Sequence, residues 1–170
     1  MNREYGKICS KMQKTRKRGF SMMIRKAERR DREEYIRMAH EFYHSPAVLH
    51  PIPDAYFERT FDEYLRNDTY VGCYILEYEG NYAGYGLTAR TFSQEAGGYV
   101  DWLEELYVRE AYRSKGFGSA FFQYMEEHRE EGVTRFRLEV EDDNVRASAL
   151  YKRLGDEYLE YRQMIKEFED

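Results

Sequence analysis

The segment from Leu103 to Ser119 constrains the fold most tightly. A β-forming run, Leu103-Glu104-Glu105-Leu106-Tyr107-Val108, leads through a basic turn, Arg113-Ser114-Lys115-Gly116, straight into an amphipathic helix. That helix is predicted over 116–131. Phe117, Ala120, Phe121, Tyr124, Met125 and His128 line one stripe of it, and Gly132 closes it. The turn also has a chemical consequence. The first N–H groups of a helix lack helical acceptors and sit at its positive dipole end, which makes an anion site. Gly116 and Gly118 allow close backbone approach and positive φ, and Arg113 and Lys115 add charge. A pyrophosphate is the natural guest. The spacing is neither that of a Walker loop nor of a dinucleotide fingerprint. Taken alone, the stretch is equally readable as a tight strand-to-helix connection.

The rest of the chain supplies a sheet for this unit. Met23–Ala27 reads as a first strand. A helix follows, with Asp31 as N-cap and Glu34 completing a capping box. His44–Pro53 reads as a loop, and a second helix begins near Asp54. Tyr70–Tyr78 and Tyr82–Thr91 form a hairpin about Glu79-Gly80-Asn81, and Tyr99–Val108 is a third long strand. Phe136, Leu138 and Val140 alternate in another strand. A helix over 144–154 stops at Gly155, and Leu159–Phe168 makes a final strand. The order β-α-α-β-β-β-α-β-α-β describes an α/β (α+β) domain, a mixed sheet flanked by helices. We place that domain at 22–170.

Composition narrows the class. A chain of 170 residues with 42% hydrophobic and 35% charged side chains suits one globular domain with a real core. No apolar run reaches membrane-spanning length, so no membrane association is expected. Cys9 and Cys73 show neither metal-ligand nor disulfide spacing. No metal is expected, and a reducing, cytoplasmic compartment fits. Residues 1–18 hold seven basic side chains against one acid, which leaves the remainder at −11. We read 1–21 as a flexible basic extension. The acidic body disfavours nucleic acid and favours cationic small molecules.

Two motifs carry a family resemblance. Arg113-Ser114-Lys115-Gly116-Phe117-Gly118 resembles the R/Q-x-x-G-x-G/A signature of the GCN5-related N-acetyltransferases (GNAT). Further on, the stretch from Asn144 through Ala147, Leu150 and Tyr151 to Gly155 resembles that family's N-x-x-A-x-x-L/F-Y-x-x-x-G motif. Order and separation also match, and the pattern runs from about Met23 to Phe168. Glu110-Ala111 replaces the proline usual before the first motif. Asp156 replaces the phenylalanine usual after the second, which bears on the packing of the last strand.

The resemblance implies acetyl-CoA as acyl donor and an amine as acceptor. It also implies a bulged strand whose Leu106, Tyr107 and Val108 pair with the pantetheine arm. The pyrophosphate would lie on Arg113, Ser114, Lys115, Gly116, Phe117, Gly118 and Ser119, with Asn144 and Ala147 bordering the pantetheine. Tyr151 matches the family's acid, and Glu104 matches a glutamate that acts as base through a water in polyamine acetyltransferases. Alternation along a strand sends Glu104 and Glu105 to opposite faces, so a register one residue off transfers the role to Glu105. Asp101, His44 and His50 are weaker candidates at the acceptor end. Arg109 and Arg146 extend the basic side of the cleft. A small cationic amine is the leading acceptor, and a homodimer is compatible. A protein lysine or N-terminal acetyltransferase and a non-catalytic acyl-CoA sensor are the alternatives.

Overall fold

A computed structural model describes residues 14–17, 20–46, 48 and 50–168. The chain divides into two units, Met1–Glu139 and Val140–Asp170. The first contains β1 (Lys14–Lys17), β2 (Phe20–Lys26), α1 (Arg32–Tyr43), α2 (Asp54–Arg66), β3 (Val71–Tyr78), β4 (Asn81–Ser93), β5 (Gly98–Val108), α3 (Phe117–Glu127) and β6 (Val133–Arg137). Its strands form one sheet in sequence order. Neighbours from β1 to β5 are antiparallel and β6 runs parallel to β5, giving the mixed sheet with helices that the sequence predicts. β1 and the start of β2 fall in the stretch read as a basic extension. Residues 1–13, 18 and 19 of that stretch, with Cys9, lie outside the described residues.

Side-chain alternation explains the two faces. Tyr35, Met38 and Ala39 of α1 and Phe57, Phe61 and Tyr64 of α2 pack with Cys73, Ile75, Tyr85, Leu87 and Tyr107 of the sheet. On the other face lie Tyr74 and Gly86, next in sequence to Ile75 and Tyr85, and α3 covers them. A Cβ at Gly86 would stand 2.4 Å from the Phe121 ring, so only glycine lets that ring seat on the strand. The β3–β4 hairpin turns on Glu79 and Gly80, both with positive φ (52° and 78°), as a two-residue loop requires.

The entry to α1 differs from the expectation. Asp31 precedes the helix but makes no side-chain cap bond. Its carboxylate instead accepts two bonds from Arg25 (2.6 and 2.9 Å), one from the Tyr82 hydroxyl (2.7 Å) and one from the Glu28 amide (2.7 Å). Asp31 thus serves as the third residue of a capping box with Glu28 in the turn before the helix, and Arg25 and Tyr82 take its remaining acceptor capacity. Burial alone would raise the Asp31 pKa, but Arg25, Glu28 and Tyr82 together hold it below the usual carboxylate value. Glu34, expected to complete the capping box, pairs with Arg109 at 2.7 Å.

The second unit contains α4 (Val145–Leu154). Asn144 caps its start, its side chain accepting from the Ala147 amide at 3.1 Å. At the other end Gly155 adopts φ 100°, with Gly155 N–H donating to Lys152 O and Asp156 N–H to Tyr151 O. This is a Schellman closure, which normally carries an apolar contact from the position that Asp156 occupies. The strand expected over 159–168 is not formed: residues 156–168 contain no strand, and Tyr161, Met164, Ile165 and Phe168 are exposed. β-forming residues make a strand only where an edge pairs with them, and the carboxylate at 156 gives this segment no apolar anchor.

Candidate active site

The site grows out of β5. Its first half, Tyr99–Trp102, pairs with β4 on one side and β6 on the other. From Leu103 to Val108 β4 remains the neighbour, but among the described residues no strand pairs with the other edge. The change coincides with a bulge. Leu87 pairs with Glu105 and Thr88 with Leu103, so Glu104 is the extra residue on β5. Beyond the bulge the backbone groups alternate between edges. The Arg109 amide donates to Ala83 O of β4 at 2.9 Å, so the groups of Tyr107 also face β4 while those of Leu106 and Val108 face the open edge. The Val108 carbonyl there accepts from Arg113 Nε at 2.9 Å. Of the three strand residues implied for pantetheine, Leu106 and Val108 lie with their backbone on the free edge. Tyr107 turns its hydroxyl to Glu41 at 3.1 Å.

The bulge also undoes the alternation argument for the two glutamates. Glu105 acts electrostatically on Glu104, and both act on the Tyr43 phenol. The Glu105 carboxylate is largely enclosed. Its Oε1 accepts from the Tyr43 hydroxyl (2.7 Å) and its Oε2 from the Tyr85 hydroxyl (2.5 Å). Burial raises its pKa while the two phenols pull it down, and the net direction is upward. Glu104 is exposed on the rim. The protein around it displaces part of its hydration, and Glu139 and Glu105 repel its charge, so its pKa is also raised. A raised carboxylate is the better proton acceptor near neutrality.

After β5 the chain enters the anion turn. Ser114 and Gly116 have φ of 62° and 94°. Gly116 is the N-cap of α3, and its carbonyl takes the Ala120 amide at 3.0 Å. The amides of Phe117, Gly118 and Ser119 therefore have no acceptor within the helix. The Phe117 ring is buried against Tyr78, so this residue offers only backbone to a ligand. Arg113 and Lys115 are exposed, Lys115 with its ammonium 5.4 Å from the Tyr78 ring centre.

Other candidates fare differently. Arg109 is committed to Glu41 (2.8 and 2.9 Å) and Glu34 of α1, so its charge is compensated. Both oxygens of buried Asp101 are held by Arg90 (2.6 and 2.9 Å), which removes it as an acceptor ligand. His44 and His50 are exposed, and His44 stacks on His40 with ring centres 3.9 Å apart. In the second unit Asn144 and Ala147 form the α4 cap. Burial, then the charge of Asp156, raises the Tyr151 phenol above its usual pKa. Tyr43 and Tyr85 escaped the sequence reading. Nothing in their neighbourhoods distinguishes them from core tyrosines until the fold brings them to Glu105.

Comparison with known proteins agrees with this architecture. The Acetyltransferase (GNAT) family matches over residues 24–156. The chain is 30% identical to mouse thialysine N-epsilon-acetyltransferase over 153 residues, covering 82% of this chain and 86% of the relative. It is 39% identical to the bovine enzyme over 77 residues, 45% of each chain, so it spans under half the length of that relative. Among solved structures, a possible acetyltransferase from Clostridium difficile 630 superposes with a TM-score of 0.75 at 18% identity, covering 88% of this chain and 99% of that one. An aminoglycoside N-acetyltransferase in complex with CoA gives 0.70 at 17% identity, covering 88% and 97%. The chain belongs to the GNAT family of acetyltransferases.

Proposed function

We propose that the protein transfers the acetyl group of acetyl-CoA directly to a small cationic amine. The observation that carries this reading is the continuity of the open β5 edge, beside Glu104, with the basic turn at the start of α3. An extended pantetheine arm can pair with the edge-facing backbone groups of Leu106 and the amide of Val108 as an added strand. Its pyrophosphate would then meet the free amides of Phe117, Gly118 and Ser119 with Arg113 and Lys115.

The chemistry requires three proton movements. An alkyl ammonium, with a pKa of about 10, must lose a proton before it attacks. Glu104 accepts that proton, directly or through a water. The amine nitrogen then bonds to the thioester carbonyl carbon, the C–S bond breaks and the sulfur leaves as thiolate. Tyr151 supplies the proton that makes it a thiol, and the second proton that the nitrogen sheds on becoming a neutral amide restores the phenol. This role rests on its place in the second motif and on a phenol that holds its proton at neutral pH. Asn144 and Ala147 retain the role of bordering the pantetheine.

Acceptor charge follows from the electrostatics. Arg109 is compensated, so Arg113 and Lys115 carry the positive end of β5, while Glu104, Glu105 and Glu139 make its bulge negative. The mouse relative's name specifies thialysine, itself a cationic amine. The test is an acetyl-CoA consumption assay over a panel of amines, read by free thiol. A diamine should exceed an anionic amino compound of similar size in kcat/KM by roughly tenfold, and the advantage should shrink with salt. A preference for anionic acceptors rejects the assignment of acceptor charge. Absence of thiol release with every amine rejects the transferase reading.

A further inference from the structure

The Glu105 site contains a largely enclosed carboxylate whose side-chain hydrogen-bond donors, among the described residues, are two phenols. Tyr43 comes from the last turn of α1 and Tyr85 from β4, and each takes one carboxylate oxygen. With both oxygens occupied, Glu105 is poorly placed to receive a proton from an acceptor amine. Among the described residues no lysine, arginine or histidine pairs with it. The titratable groups around it are Tyr35 and Tyr43 of α1, Cys73 of β3, Tyr85 of β4 and Glu104 of β5. None of these is a cation. Glu104 additionally faces Glu139, which follows β6. Other enclosed carboxylates in and beside the sheet have an arginine: Asp101 and Glu77 within it pair with Arg90 and Arg25, and Asp31 after β2 pairs with Arg25.

From this arrangement we infer that Glu105 is a positioning residue, a fixed negative charge clamped by Tyr43 and Tyr85, which strengthens the adjacent Glu104 as proton acceptor. The inference rests on the proposed role of Glu104 as base. The bulge is the structural device. It interrupts, at Glu104, the alternation by which a regular strand would send two consecutive glutamates to opposite faces. Phenols suit the clamp because they stabilise the anion by hydrogen bonding without cancelling its charge, as an arginine would. A protonated Glu105, donating to one phenol, would exert no such influence, so the two states are distinguishable.

The test is the pH profile of kcat/KM for a diamine with the full chain. Variants are Glu104→Gln, Glu105→Gln and, as a second probe that retains the ring and the carboxylate, Tyr85→Phe. The parent should lose activity on the acid side as Glu104 protonates. Glu105→Gln should move that limb roughly one pH unit toward acid, since the neighbouring charge is gone, and lower the plateau roughly three- to tenfold as the base weakens. Tyr85→Phe should move it the same way by less, and it decides the matter if Glu105→Gln does not fold. A purely structural Glu105 would lower activity without moving the limb. An acid limb that vanishes in Glu104→Gln but stays in place in Glu105→Gln and Tyr85→Phe overturns the tuning role alone. A limb that persists in Glu104→Gln removes Glu104 as base, and this inference with it.

Discussion

The two halves of β5 use the same residue types for opposite ends. In the first half, Asp101 is buried and its charge is matched by Arg90, which Glu130 also engages. The backbone there is saturated by β4 and β6. In the second half, past the bulge at Glu104, the backbone on one edge has no strand partner, and Glu105 is enclosed by phenols without a countercharge. A buried ion pair is evenly balanced between desolvation and attraction and leaves no net charge for chemistry. A carboxylate held by neutral donors keeps its charge, and that charge is felt next door. On the proposed mechanism the strand contributes stability at one end and reactivity at the other.

Substitutions can break this division. The largest expected effect is on rate. Glu104→Gln removes the proton acceptor without changing side-chain size, and turnover should fall roughly a hundred- to a thousandfold with acetyl-CoA affinity little changed. Steady-state kinetics alongside calorimetry separates the two quantities, and an equal loss in both would make Glu104 a binding residue. Next comes affinity. Gly118→Asp puts a carboxylate among the free amides of α3, so acetyl-CoA should bind roughly tenfold or more weakly. Calorimetry that shows parental affinity would move the pyrophosphate elsewhere. The smallest effect on chemistry belongs to the first half. Asp101→Asn leaves Arg90 with only the exposed Glu130, which should cost about 3 kcal/mol in urea unfolding. kcat should stay within about twofold of the parent for the protein that remains folded. A catalytic loss at Asp101 without destabilisation would erase the contrast between the halves.

The sequence made part of this visible. Hydrophobic spacing located α1, α2 and α3, and the turn residues Glu79-Gly80 and Gly116 marked the hairpin and the helix start, because these signals are local. A bulge in this strand was implied by the family resemblance alone, and its place was not visible, because it is a property of register: only the pairing of Leu87 with Glu105 and Thr88 with Leu103 puts it at Glu104. The clamp was hidden for the same reason, as Tyr43 and Tyr85 lie 62 and 20 residues from Glu105. Arg109 read as part of the basic side of the cleft by proximity in sequence, yet α1 supplies two acids that claim it. The run 159–168 has strand-forming residues, but propensity does not create a partner edge.

On the proposed function, the open edge of β5 and the start of α3 form one continuous binding surface. Amide hydrogen exchange, measured with and without acetyl-CoA, tests it at the residues concerned. The account predicts slowed exchange at Leu106, Val108, Phe117, Gly118 and Ser119 on binding, with little change at Tyr99–Trp102, where both edges are already paired. Equal protection along the whole of β5, or protection confined to α1 and α2 with none at 117–119, would contradict it.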